Sequence, residues 1–141
     1  MNTYGAETYG ERIADVYDEL YSGHDPAAIV ALNRLARSGR ALELGIGTGR
    51  VALPLQETGV KVHGIDASPA MVERLRAKPG GENIPVTLGD FSEVAVEGRY
   101  TLIYVMFNTF YSLLTQEAQV RCFQNVARHL EPGGSFALEA F

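Results

Sequence analysis

The segment ALELGIGTGR places one acid, Glu43, inside an apolar run and follows it with glycines at alternate positions, Gly45, Gly47 and Gly49. Glycine tolerates positive φ and lets a ligand lie on the backbone with no Cβ in the way. A helix starting just after the turn would add free N–H groups. The spacing is G-x-G-x-G, not the G-x-G-x-x-G of a dinucleotide turn. Gly49 is followed by Arg50 and Val51, not by the Lys-Ser/Thr of a triphosphate loop. An acid just ahead of the turn is a poor neighbour for a pyrophosphate and a good one for an ammonium group. A second acid, Asp66, ends KVHGID, and a carboxylate at a strand tip can accept both hydroxyls of a ribose. A third, Asp90, ends IPVTLGD, where it could accept from an exocyclic amine while the Phe91 N–H addresses a ring nitrogen. Ala67 and Met71 are small and soft enough to sandwich a flat ring. The set describes a pocket for an adenosine with a positively charged amino-acid tail.

These residues need strands that end at one edge of a sheet and helices that return the chain. ALELG, KVHGID, IPVTLGD, YTLIYVMF and SFALEAF read as five strands, the fourth apolar enough for burial on both faces. Helices are expected over Glu7 to Tyr21, from Asp25-Pro26 to a stop at Gly39, over Arg50 to Thr58, from Ser68-Pro69 to Pro79-Gly80-Gly81, and from Thr115 to Glu131-Pro132-Gly133-Gly134. SGHDP separates the first two. Pro54 should weaken or kink the third. Tyr9, Ile13, Val16, Tyr17, Leu20 and Tyr21 form one stripe on the first helix, and Ala118, Val120, Phe123, Val126, Ala127 and Leu130 form one on the last. Packing accounts for Tyr9, Cys122 and His63 in this reading, and His129 suits the dipole of a helix's last turn. Strands alternating with helices imply a doubly wound α/β fold with a mainly parallel sheet. A single domain over residues 1–141 is expected, with helices in 1–39 and the βαβ core in 40–141.

The ordered set (E-x-G-x-G-x-G in ELGIGTG, GID followed by ASPAM, GDF, and PGG before strand five) resembles the class I S-adenosylmethionine-dependent methyltransferases. IADVYDELY is similar to their small-molecule branch, in which amino sugars and natural-product scaffolds are N-methylated. The resemblance implies S-adenosylmethionine as cofactor. Glu43 would reach its amino group, Gly45, Gly47 and Gly49 would line its methionine portion, and Asp66 would bind the ribose. Ala67, Met71, Asp90 and Phe91 would hold the adenine, Phe107 and Asn108 would sit beside the sulfonium, and Tyr17 and Tyr21 would close over the cofactor. The reaction would be in-line methyl displacement by a small-molecule acceptor, most simply an unprotonated amine. A hydroxyl acceptor would want a general base, for which His24 is the loop histidine available. The family's sheet has seven strands against five here, so the resemblance also implies a chain shortened at its carboxyl end.

Composition excludes other classes. The formal net charge of -5 carries no footprint for nucleic acid. No apolar run approaches a membrane span, and the amino terminus lacks the layout of a signal peptide. One cysteine allows no internal disulfide, which fits a cytoplasmic protein. No His/Cys cluster has metal-ligand spacing, so no catalytic metal is expected. The final strand lacks a covering crossover, which suggests a fragment, or a partner segment or homodimer contact. Two other functions stay open: an NAD-dependent oxidoreductase, disfavoured by the glycine spacing, and a cofactor-binding fragment without activity.

Overall fold

The computed structural model describes residues 5–21 and 23–141; Ser22 of the expected SGHDP break and the first four residues lie outside the described residues. Helices α1 (Thr8–Leu20) and α2 (Pro26–Ala36) lead into β1 (Arg40–Leu44), α3 (Ala52–Glu57), β2 (Lys61–Asp66), α4 (Pro69–Arg76), β3 (Val86–Leu88), β4 (Tyr100–Val105), α5 (Gln116–His129) and β5 (Leu130–Leu138). All strand pairs are parallel, in the order β3-β2-β1-β4-β5. The strand order reverses between β1 and β4, and ligands of open α/β sheets bind beyond the carboxyl ends at such a point.

Both sheet faces are covered. On one, Ala41, Val62, Leu102 and Tyr104 pack against Ile29, Leu32 and Ala36 of α2, Ala52 and Leu55 of α3, and Leu75 of α4. On the other, Leu42, Leu44, Ile65, Ile103 and Val105 meet Cys122 and Val126 of α5, with Phe91, Val94, Phe110 and Leu113 from the loops. Burial, then the nearby Asp90, pushes the Cys122 thiol up to about 11, consistent with a packing role. Among the described residues no helix is long and apolar enough to cross a membrane.

Three helix starts follow from their sequences. Asp25 accepts from Ala27 N at 2.9 Å, Ser68 Oγ from Met71 N at 3.2 Å, and Thr115 Oγ1 from Ala118 N at 3.1 Å. Two of these starts place proline next, where the missing N–H has no intrahelical role.

The structure corrects several expectations. Helix α2 stops three residues before Gly39, with Arg37 and Ser38 at φ 50° and 63° taking the left-handed turn. Gly39 is required elsewhere, because a Cβ there would collide with Thr101. Pro54 does not break α3: it is the third residue of the helix, where backbone N–H groups lack intrahelical acceptors anyway. Strand β5 starts at Leu130 and runs through the Pro-Gly-Gly segment, with an irregularity opposite Tyr100 and Leu102. Neither helical stripe is a buried seam. Tyr9, Val16, Leu20 and Tyr21 of α1 are exposed, and its buried residues are Gly10 and Ala14. In α5, Val120 is exposed and Phe123 is 50% exposed, its ring meeting Phe110 and Phe136 edge-on.

Candidate active site

A cavity of about 520 Å³ opens at the carboxyl ends of β1, β2 and β4, within the range that holds a cofactor-sized molecule. Its floor is the glycine turn. Gly45 and Gly47 line it at φ 71° and 57°, and a Cβ on Gly45 would come within 2.7 Å of Thr109 Cγ2 across the space. Gly49 departs from the expected role. It does not line the cavity, and a Cβ there would collide with Leu75 and press on Leu53, so it packs helix against sheet.

Glu43 is 4% exposed and lines the cavity from the end of β1. It stands beside Tyr104 in the β1–β4 register, and the Tyr104 hydroxyl donates to Glu43 Oε1 at 3.0 Å. Burial lifts the Glu43 carboxyl well above the ordinary carboxylate range; the Tyr104 hydrogen bond opposes this and the charge of Asp66 adds to it. The Tyr104 hydroxyl is itself held well above its usual value by burial and by the neighbouring acid.

Asp66 also lines the cavity. Its Oδ2 accepts from Gly47 N at 2.8 Å and its Oδ1 from Ser68 N at 2.9 Å, so it fixes both the glycine turn and the start of α4. Burial raises its pKa, with the backbone bonds from Ser68, Gly47 and Ala67 opposing. A carboxylate offers about four acceptor sites, so with these backbone donors in place capacity for a hydroxyl donor remains. Asp90 is exposed at the rim and takes Ser92 N at 2.9 Å, while Phe91 is buried beneath it. Ala67 and Met71 line the wall, and Met71 Cε approaches Gly47.

Phe107 and Asn108 also reach the cavity. Both are left-handed, at φ 57° and 61°, a conformation costly for side chains larger than glycine. The segment after β5 holds them there: Glu139 Oε1 accepts from Phe107 N at 2.9 Å and Glu139 O from Asn108 N at 3.2 Å. Tyr17 and Tyr21 close the space from α1, their rings 5.1 Å apart.

His24 is exposed and does not line the cavity. The neighbouring Gly23 O accepts from Arg50 Nε at 2.8 Å. The loop histidine is thus not among the residues that the fold brings to this cavity. Three residues that line or support the site were not anticipated. Tyr104 reads as one more apolar strand residue until the register sets it beside Glu43. Arg50 follows the third glycine, and only its position at the cavity wall distinguishes it. Tyr9, 47% exposed, lines the cavity rather than packing in the core.

A model of the methyltransferase domain matches residues 41–134, the span from β1 into β5 that builds this cavity. The chain belongs to the class I S-adenosylmethionine-dependent methyltransferases. It is 30% identical over 93% of its length to the cypemycin N-terminal methyltransferase of a Streptomyces species, covering 55% of that protein. Among solved structures, the CcbJ methyltransferase of Streptomyces caelestis is 41% identical over 96% of this chain and 58% of its own, with a TM-score of 0.87. CalS10, an amino pentose methyltransferase from Micromonospora echinaspora solved with S-adenosylmethionine, is 29% identical over 100% and 58%, with a TM-score of 0.73. The methyltransferase chain thus spans about half the length of the curated relatives it matches. Its residues fit the family's cofactor: the glycine turn leaves a cradle that a Cβ would fill, and the acids facing it suit an ammonium group and vicinal hydroxyls.

Proposed function

We propose that this chain binds S-adenosylmethionine in the cavity and directs methyl transfer to an amine of a small-molecule acceptor. The observation that carries the reading is the buried carboxyl of Glu43 at the floor of an otherwise glycine-lined turn, with Asp66 beside it. A pyrophosphate would meet two acids there; an amino-acid tail and a ribose meet complementary groups. The cofactor, when bound, supplies a methyl group already activated for displacement by a lone pair. The chain's own residues position and shield. Gly45 and Gly47 admit the tail, Asp66 accepts the ribose hydroxyls, and Ala67, Met71 and Phe91 enclose the base. Phe107, Asn108, Tyr17 and Tyr21 exclude water from the transfer point. Positioning of this kind contributes roughly 7–11 kcal/mol.

The amine is favoured by what lines the cavity among the described residues: carboxyl groups, tyrosines and one arginine, and no histidine. An unprotonated amine needs no base in the transfer step. The N-terminal and amino-sugar specificities in the names of the cypemycin enzyme and CalS10 agree with this reading.

The test is calorimetric titration with S-adenosylhomocysteine and, separately, with NADH, followed by methyl-transfer assays on amino-sugar and secondary-amine acceptors. Saturable S-adenosylhomocysteine binding without NADH binding is expected. NADH binding alone would overturn the assignment, and transfer to hydroxyl acceptors only would overturn the amine.

A further inference from the structure

Tyr9, Gly10 and Tyr17 of α1, with Tyr21 at its carboxyl cap, form one wall of the cavity. The buried residues of that helix are Gly10 and Ala14. A segment with so little buried apolar surface opens at lower cost than the strands beneath it. What fastens α1 therefore decides how long the wall stays shut. Tyr17 shares a side-chain hydrogen bond with Arg50, and both line the cavity, so a ligand meets that tie. Asp18 makes one that a ligand does not meet. Its Oδ1 accepts from Thr48 Oγ1 at 2.8 Å and from Lys78 Nζ at 2.9 Å, and Lys78 Nζ donates a second time, to Thr48 O at 2.9 Å. None of these three residues lines the cavity. Glu11 and Asp15 reach α4 and its cap instead, so Asp18 is the acid that joins α1 to the glycine turn. Thr48 is fully buried in that turn, between Gly47 and Gly49. Lys78 is also rooted. It follows Ala77, the cap of α4, its N donates to Leu75 O at 3.1 Å, and Pro79 restricts the backbone after it.

We propose that Lys78 is a positioning residue that latches α1 to the glycine turn and thereby sets how slowly the cofactor product leaves the cavity. The inference rests on the cofactor reading above and adds a control on release that lies outside the ligand's reach. Asp18 adjoins Tyr17 and precedes Tyr21 by one helical turn, so pinning it holds both rings over the space. Thr48 adjoins Gly47, which lines the floor. One ammonium thus holds wall and floor together. Removing it leaves every ligand contact in place and weakens only the closure. A latch acts on the closed complex, so its loss speeds departure more than arrival. The Lys78 and Asp18 side chains are 31% and 40% exposed, so water weakens the pair and the effect is a modest one.

The test measures association and dissociation of S-adenosylhomocysteine by surface plasmon resonance on the wild-type chain, Lys78→Met, Asp18→Asn and the double variant, with urea unfolding as the check on folding. Each single variant should speed dissociation about three- to tenfold, the range of a partly exposed charge-assisted pair, and change association by less than about twofold. The double variant should release at the rate of the faster single variant, because both substitutions remove the same latch. Raising salt from about 0.05 to 1 M should speed release from the wild type by several-fold and from Lys78→Met by less than about twofold. Should Lys78→Met fail to fold, Asp18→Asn and the salt dependence of the wild type decide the matter in the same way. Dissociation unchanged in the single variants, whatever happens to stability, would make Lys78 a structural support and overturn the latch. So would effects that multiply in the double variant, or a salt dependence as steep in Lys78→Met as in the wild type. Each of these leaves the cofactor assignment standing, whereas a wild type that does not bind S-adenosylhomocysteine would sink both.

Discussion

Glu43→Gln separates what the buried carboxyl does for the fold from what it does for the ligand. In the unfolded chain the group titrates near ~4.3. In the folded chain it titrates higher, because burial outweighs the one hydrogen bond from Tyr104 and Asp66 adds repulsion. Between those two values the folded chain holds more protons than the unfolded one, so stability falls as pH rises. The stabilising contribution is complete below the unfolded value and is lost as pH rises through the folded one. The slope is at most about 1.4 kcal/mol per pH unit. Glutamine has a similar shape, keeps an acceptor for the Tyr104 hydroxyl and does not titrate. The variant should therefore gain on the wild type by at most about 1.4 kcal/mol for each pH unit inside this window.

The assay is urea unfolding of both proteins at several values from pH 5 to 8. Asp66, also raised, is common to both and largely cancels. A stability difference independent of pH would refute the reasoning, as would one that moves toward the wild type, because either would mean that Glu43 is already ionised in the fold at pH 5. The ligand side of the experiment has the opposite sign. An ammonium group against Glu43 favours its ionised form, so S-adenosylhomocysteine binding to the wild type should release protons and tighten as pH rises. Glu43→Gln should lose that proton release and bind about tenfold or more weakly. A side chain that weakens the empty protein and strengthens the complex is the trade-off expected at a binding site.

Tyr104→Phe should cost about 1–3 kcal/mol above the raised titration of Glu43, where the ionised carboxyl needs its donor, and less below it; an equal loss on both sides would place the effect in packing. Gly10→Ala improves helix propensity by about 1 kcal/mol but brings a Cβ to 2.5 Å from Ser68 Cβ and 2.9 Å from Met71 Cγ, so the melting temperature should fall rather than rise. Gly49→Ala combines a left-handed backbone with a collision at Leu75 and should lose about 2 kcal/mol or more while leaving S-adenosylhomocysteine affinity of the folded protein unchanged. Asp66→Asn retains an acceptor for one of its two backbone partners and loses the other, so it should loosen the glycine turn and lower affinity for S-adenosylhomocysteine more than for free homocysteine.

The strand-to-helix turns were legible because their chemistry is local. A capping residue followed by proline fixes where a helix begins whatever lies around it, and Asp25-Pro26 and Ser68-Pro69 behave accordingly. The acids at strand tips were legible for a similar reason: in a parallel sheet the ends of β1 and β2 lie at one edge, so Glu43 and Asp66 had to converge. Tyr104 was not legible, because its meaning depends on pairing with a residue about sixty positions away. Gly49 was misread because alternate glycines look alike in sequence, and only the packing of α4 separates those that face the ligand space from the one that faces Leu75. His24 was chosen for its chemistry alone, and the cavity lining does not include it; a side chain in a loop has no site until the fold gives it one.

The exposed tyrosines of α1 pose the same problem in reverse, since periodicity promised a buried seam and the seam is elsewhere. The helix is fastened on another face by a row of acids. Glu11 Oε1 accepts from Ser68 Oγ at 3.0 Å and Ala70 N at 3.1 Å, Asp15 pairs with Arg74 at 2.8 Å, and Asp18 takes Lys78 at 2.9 Å and Thr48 Oγ1 at 2.8 Å. Only Gly10 and Ala14 are fully covered. Burial alone would raise the Asp18 carboxyl, yet the bonds from Lys78 and Thr48 bring it below its ordinary value, so this clasp is made by the charged form. Exposed pairs such as Asp15–Arg74 are worth about 0–1 kcal/mol, and water can replace them. A helix attached this way does not need its apolar stripe for folding. The stripe is free to meet the cavity, where Tyr9, Tyr17 and Tyr21 stand with Arg50 and Phe107. An amphipathic pattern therefore reports that one face of a helix is kept from water, and the molecule that covers the face need not be the protein itself.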